Sequence, residues 1–119
     1  MRPRDSLLEA LLALKALDPR ISVNEIVAFL YTCENEGLSV QELAYVAGLT
    51  QSTASRSLRS LGRAGSDWAQ PPALGLVDAF LNPHDSRSHV IHLTDLGREM
   101  RARLDEMIRR ATPIDLPGV

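Results

Sequence analysis

A chain of 119 residues with 45% hydrophobic and 24% charged side chains has the size of one compact domain with its own core and is too short for two. Its net charge of −2 excludes a generally polycationic nucleic-acid binder, so a nucleic-acid partner would have to meet a local basic face. The single Cys33 excludes an intramolecular disulfide, and neither a signal-peptide pattern nor a long apolar span appears, so a cytoplasmic protein without membrane contact is expected.

Residues 4–18 read as the first helix. Leu7, Leu8, Leu11, Leu12, Leu14 and Leu17 recur at helical spacing, Pro3 suits a helix start, and Pro19 stops the next turn. So many leucines on one helix need more than one neighbour, either a C-terminal helix or a second subunit. After the break at Asp18-Pro19-Arg20, Ser22 caps a helix through about Asn35, with Glu25 completing a capping box. Its apolar side carries Ile26, Val27, Phe29, Leu30 and Cys33, and Gly37 ends it.

Ser39 to Arg63 then reads as two helices around a tight turn. Ser39 and Thr50 each precede a run with apolar residues at helical spacing and can accept an unpaired first-turn N–H. Gly48 lies between the runs, where tolerance of positive φ lets the chain turn sharply. This is a helix-turn-helix pattern. On the second helix Ala54, Leu58 and Leu61 share one side, while Ser52, Ser55, Arg56, Arg59 and Arg63 gather on the other. No acidic residue occurs from Thr50 to Ser66, and residues 50–94 hold four bases and three acids where residues 1–49 hold four and seven. A solvated helix more often pairs Glu with Lys or Arg four residues apart. Short hydroxyls allow close approach to a duplex, and guanidinium forks take guanine edges or phosphates, so this face suits a major groove.

From Ala64 to Gly75 the chain is rich in Gly and Pro and reads as a loop, anchored by Trp68. Leu76–Leu81 and Ser88–Leu93 are two β-prone runs around the turn-rich Asn82–Arg87, which predicts a hairpin with Arg87 at its tip, a wing. Thr94 caps the last helix, residues 95–111, on which Leu96, Met100, Leu104, Met107 and Ile108 form one stripe. Pro113 stops it, leaving residues 112–119 as a tail. The fold class expected is mainly α with an α+β wing.

This order of elements resembles the MarR family of winged-helix transcriptional regulators. Thr50-Gln51-Ser52-Thr53-Ala54-Ser55-Arg56 with Leu58 and Leu61 is similar to that family's recognition helix. Asp85-Ser86-Arg87 resembles its wing tip, and Val90-Ile91-His92-Leu93-Thr94-Asp95-Leu96-Gly97 resembles the strand entering its last helix. The likeness covers about Ile21 to Arg109.

The resemblance implies a single winged-helix domain, 1–119, whose segment 22–94 binds double-stranded DNA. Thr50, Gln51, Ser52, Thr53, Ser55, Arg56, Arg59 and Arg63 would meet bases or phosphates, Arg87 would enter the minor groove, and Asp85 would orient it. It also implies a homodimer built from helices 4–18 and 95–111 through Leu7, Leu8, Leu11, Leu12, Leu104, Met107 and Ile108, reading a roughly palindromic site as a repressor. Two departures stand out. The family's Gly-Leu-Val comes here at Gly75-Leu76-Val77, after an insertion spanning 66–75, and the chain ends without the further dimerisation helix that many members carry.

No nucleophile elbow, phosphate-binding glycine loop or paired-carboxylate setting accompanies the Ser, His and Asp residues, so an enzyme is not expected. No cofactor or metal is expected either, because His89 and His92 would point to opposite faces of one strand. Cys33 admits a redox-sensor role, but its apolar helix face fits a buried structural thiol better. A crevice between the dimer helices and the winged domain offers room for a small-molecule effector. The rival reading is a winged helix that binds a protein rather than DNA.

Overall fold

In a computed structural model, residues 3–109 are described, and the predicted tail with the last two residues of the final helix lies outside them. Five helices and one hairpin follow in order: α1 (Pro3–Leu17), α2 (Val23–Glu34), α3 (Val40–Ala47), α4 (Gln51–Ser60), β1 (Val77–Asn82), β2 (Asp85–Leu93) and α5 (Asp95–Arg109). The helix starts follow from the predicted caps. Ser22 and Glu25 form a reciprocal capping box, as do Ser39 and Glu42, and Thr50 accepts the N–H of Thr53. Gly48 ends α3 at φ 69°, the left-handed conformation that turns the chain into α4.

α2, α3 and α4 pack on one another, and their shared core includes Phe29, Leu43, Leu58 and Leu61. Burying each such side chain contributes roughly 1.5–3 kcal/mol relative to exposure. Leu30, expected on the inner side of α2, is exposed; Ala28 and Thr32 are buried instead, and the Thr32 hydroxyl donates to the Ala28 carbonyl. The inner face is thus narrower and smaller in volume than the sequence suggests.

The hairpin pairs Val77 with Leu93 through Leu81 with His89, and its root is tied down on both sides. Gly37 N–H donates to the Ile91 carbonyl and Ile91 N–H to the Leu38 carbonyl, adding the chain before α3 to the edge of β2. On the other edge the Leu61 carbonyl accepts from both Leu76 and Val77. The turn is shorter than the predicted linker, since β2 already begins at Asp85 and only Pro83 and His84 separate the strands.

Glu36, between α2 and α3, joins three elements. Its carboxylate accepts from the Leu93 N–H at 2.8 Å and the Arg98 guanidinium at 3.2 Å, with Arg101 at 3.5 Å and His92 at 3.7 Å. Burial pushes its carboxyl pKa up, but those donors and positive charges outweigh that and hold it below the usual range.

α1 packs along α5. Ala10, Ala13 and Leu14 are buried there with Met100 and Leu104, whereas Leu7, Leu8, Leu11 and Leu12 are 41–60% exposed. Where α5 leaves the hairpin, a Cβ on Gly97 would fall on the Leu76 carbonyl. Gly97→Ala should therefore destabilise the fold by about 2 kcal/mol or more through overpacking against backbone. Urea unfolding reads this, and an unchanged midpoint would mean that α5 has room to back away.

Candidate nucleic-acid interface

α4 owes its placement to its underside. Ala54, Ser57, Leu58 and Leu61 are buried, so Gln51, Ser52 and Arg56 on the opposite side are left exposed, with Thr53, Ser55 and Arg59 half-buried at the margins. Thr50 and Thr53 are occupied with each other, hydroxyl to hydroxyl at 2.9 Å, in capping the helix. The Arg56 side chain has no hydrogen bond or ion pair among the described residues, and Gln51 and Ser52 flank it on the outer surface.

The wing presents Arg87 through an irregularity in β2. Leu81 pairs with His89 and the next residue, Asn82, pairs with Asp85, so Ser86, Arg87 and Ser88 stand out of the ladder. Asn82 holds this tip with its amide donating to the Ser88 hydroxyl at 3.1 Å. The Asp85 carboxylate accepts the Arg87 N–H at 3.0 Å and lies 3.5 Å from its guanidinium. Asp85 therefore contacts both the backbone N–H and the guanidinium of the wing arginine, whose side chain is otherwise exposed.

Two of the predicted arginines are placed differently from a uniform row. The helix stops at Ser60, with Leu61 as its C-cap, so Arg63 lies beyond it. Its guanidinium forks onto the Asp78 carboxylate at 2.8 and 2.7 Å. The hydrogen bond from Arg63 holds the Asp78 carboxyl below the usual range, while burial opposes it. Arg63 thereby secures the helix end to β1 rather than standing free. The change of direction at Leu61 is imposed by the Leu76 and Val77 N–H groups that its carbonyl accepts.

Arg59 is held by the insertion. Its Nη1 donates to the Trp68 carbonyl at 3.0 Å, its Nε to the Ser55 hydroxyl at 3.3 Å, and its guanidinium lies 5.3 Å from the Trp68 ring centroid. Trp68 in turn faces His89 of β2, with ring centroids 6.0 Å apart. The anchoring role expected for Trp68 is thus fulfilled, at the junction of α4 and the wing.

His92 lies on the other face of the hairpin, edge-on to Phe80 at 5.7 Å. Among the described residues no group of three His, Cys, Asp or Glu side chains is arranged to hold a metal, and no helix is long and apolar enough to cross a membrane. Cys33 is half-buried beside a groove of about 310 Å³ between α2 and α5, lined by Leu30, Tyr31, Arg101, Leu104 and Ile108 among others.

No protein-family model and no curated protein matches the chain. Solved structures do. A MarR transcriptional regulator from Methanosarcina mazei Go1 superposes with a TM-score of 0.63 at 17% identity over 80% of this chain and 62% of that one. The fold is that of MarR regulators. The MepR–DNA complex of S. aureus gives a TM-score of 0.67 at 18% identity over 89% of this chain and 75% of its own. A MarR-family regulator from Silicibacter pomeroyi gives 0.60 at 27% identity over 88% and 62%. The chain thus spans less than two thirds of two of these three structures, the two that are described as MarR transcriptional regulators.

Burial pushes the Cys33 thiol up to about 12, against a smaller opposing pull from Arg101. With its folded pKa raised, the thiol stays protonated through neutral and moderately alkaline pH, and the thiolate needed for oxidation is scarce. Alkylation by iodoacetamide at pH 8 should therefore be at least tenfold slower in the folded protein than in urea. Equal rates would restore Cys33 as a candidate sensor.

Proposed function

We propose that this MarR-type domain is a sequence-specific double-stranded DNA-binding transcriptional regulator, with α4 entering the major groove and the wing arginine reaching the minor groove. One observation carries the reading. Gln51, Ser52, Ser55 and Arg56 stand on the outer side of a helix whose inner side is locked in the core, beside the Asp85-oriented Arg87 of the wing. Outward-facing amide, hydroxyl and guanidinium groups at that spacing match base edges, and a neighbouring strand tip that carries an arginine matches the minor groove. The S. aureus MepR structure of the same fold is a complex with DNA. Thr50 and Thr53 serve the approach of the helix, Arg59 meets backbone phosphate, and Arg63 acts through the wing root.

A homodimer belongs to this reading. Leu7, Leu8, Leu11 and Leu12 of α1 and Ile108 of α5 leave an apolar surface open, while Leu104 and the half-buried Met107 pack within the subunit. Pairing two subunits there would cover the leucines and set two α4 helices on successive turns of a roughly palindromic site. Repression would follow from occlusion of that site. The groove between α2 and α5, with Arg101 beside apolar walls, suits a small-molecule effector.

Arg56→Ala should weaken binding to the selected site by about 1–3 kcal/mol while leaving random-duplex affinity nearly unchanged. Competition titrations with both duplexes check this, and equal losses would remove Arg56 from base reading. If replacing Arg56 and Arg87 together leaves the protein's principal activity intact, the domain is instead a protein-binding module. Light scattering at micromolar concentration should give twice the monomer mass, falling to the monomer mass in a Leu8→Glu, Leu12→Glu variant; a wild-type monomer would refute the dimer.

A further inference from the structure

The loop after α4 contributes Trp68 to a cleft otherwise walled by α3, α4 and the wing. It is a cavity of about 180 Å³ between the outer side of α4 and the wing, and Gln51, Ser55, Arg59, Trp68, Arg87 and His89 line it. Its cations come from both elements, Arg59 from α4 and Arg87 from β2, and no carboxylate is among the lining residues. Only Asp85, behind the tip, approaches Arg87.

Trp68 is the residue that these groups share. The Trp68 ring centroid lies 5.3 Å from the Arg59 guanidinium and 6.0 Å from the His89 ring centroid, so one residue of this loop contacts both the cation of the helix and the imidazole of the wing. Arg59 uses its Nε on Ser55 and one Nη1 proton on the Trp68 carbonyl, which aims the guanidinium and leaves its remaining N–H groups without a partner among the described residues. It has no ion pair there either. The cleft also reaches Gln51, in the first turn of α4, where backbone N–H groups and the helix dipole favour a negative charge. A fixed fork, a second guanidinium shared with Asp85, two hydroxyl-bearing neighbours in Ser55 and Ser88 and a helix start, with no carboxylate among the lining residues, are the surroundings of a tetrahedral oxyanion.

We propose that the insertion makes this cleft a phosphate clamp, in which Trp68 holds Arg59 opposite Arg87 to take one backbone phosphate of the duplex between its major-groove and minor-groove contacts. The inference rests on the DNA-binding reading and adds a site to it. Arg59 is the binding residue, and Trp68 is a positioning residue that acts through it. Because a phosphate carries no sequence, the clamp sets register and salt dependence rather than base preference.

The test uses a duplex selected by the wild-type protein from a random pool, with single methylphosphonate substitutions placed along each strand to neutralise one phosphate at a time. Wild-type binding should fall about fivefold to tenfold at one position per half-site, and Arg59→Gln should lose affinity by a similar factor yet become insensitive at that position. The slope of log affinity against log salt should drop by about one per subunit in Arg59→Gln and Trp68→Ala. Trp68→Phe, which keeps a ring beside the guanidinium, should recover most of the methylphosphonate response. That recovery separates positioning from mere folding.

If every variant retains the wild-type phosphate footprint and slope, the clamp is wrong while DNA binding stands. If the folded wild type selects and binds no duplex, the DNA reading and the clamp fall together. Trp68 is the sole tryptophan, so its fluorescence reports the cleft directly. A saturable response to inorganic phosphate at constant ionic strength, with no methylphosphonate effect, would assign the site to free phosphate and overturn the duplex assignment.

Discussion

The Leu61 carbonyl accepts two backbone hydrogen bonds, from Leu76 at 2.8 Å and Val77 at 3.1 Å, and the relation between α4 and the hairpin depends on them. Leu61 itself is fully buried. A residue anchored at once by its side chain in the core and by its carbonyl on the wing root cannot move without opening both. Around it the Arg59, Ser60 and Gly62 carbonyls accept from Gln70, Leu74 and Gly75, and Thr94 N–H returns to the Leu76 carbonyl. The end of α4, the insertion, the hairpin and the start of α5 are thereby stitched through main-chain groups whose desolvation demands that they be paired.

Glu36 supplies the complementary tie on the far side of the hairpin. Its partners Leu93, Arg98 and Arg101 belong to β2 and α5, while Glu36 itself leads into α3. The helix-turn-helix is therefore linked to α5 by a charged group that is only partly shielded. Such a link is weaker and more adjustable than the backbone seam at Leu61. The two seams differ in kind: one fixes the angle between helix and wing, and the other couples both to the helix that packs with α1.

What the sequence reveals follows the range of the interaction. Both Ser caps, the Thr50 cap, the Gly48 turn and the opposite faces of His89 and His92 are legible because they are set within three or four residues. The exposed side of α4 is equally legible, since 3.6-residue periodicity fixes it once Leu58 and Leu61 are inside. The end of α4 is not, because the partners that turn it aside are Leu76 and Val77, beyond the insertion. From sequence Arg63 reads as one more member of the arginine row for the same reason: Asp78 lies fifteen positions away and only the hairpin brings it close. Glu36 carries no such signal, its partners lying 56 to 65 positions along the chain. The lone Trp68 in a Gly- and Pro-rich stretch was a usable cue for anchoring, although not for which cation it would hold.

The division of labour within α4 has an evolutionary consequence. Its position is determined by four buried side chains on one side and by carbonyls at its end that every residue type possesses. Gln51, Ser52 and Arg56, by contrast, make almost no contribution to holding it in place. Substitutions there are close to neutral for folding, so the outer face can drift, duplicate and diverge while the scaffold stays intact. A lineage carrying this chain could acquire new target preferences in single steps without first passing through unstable intermediates.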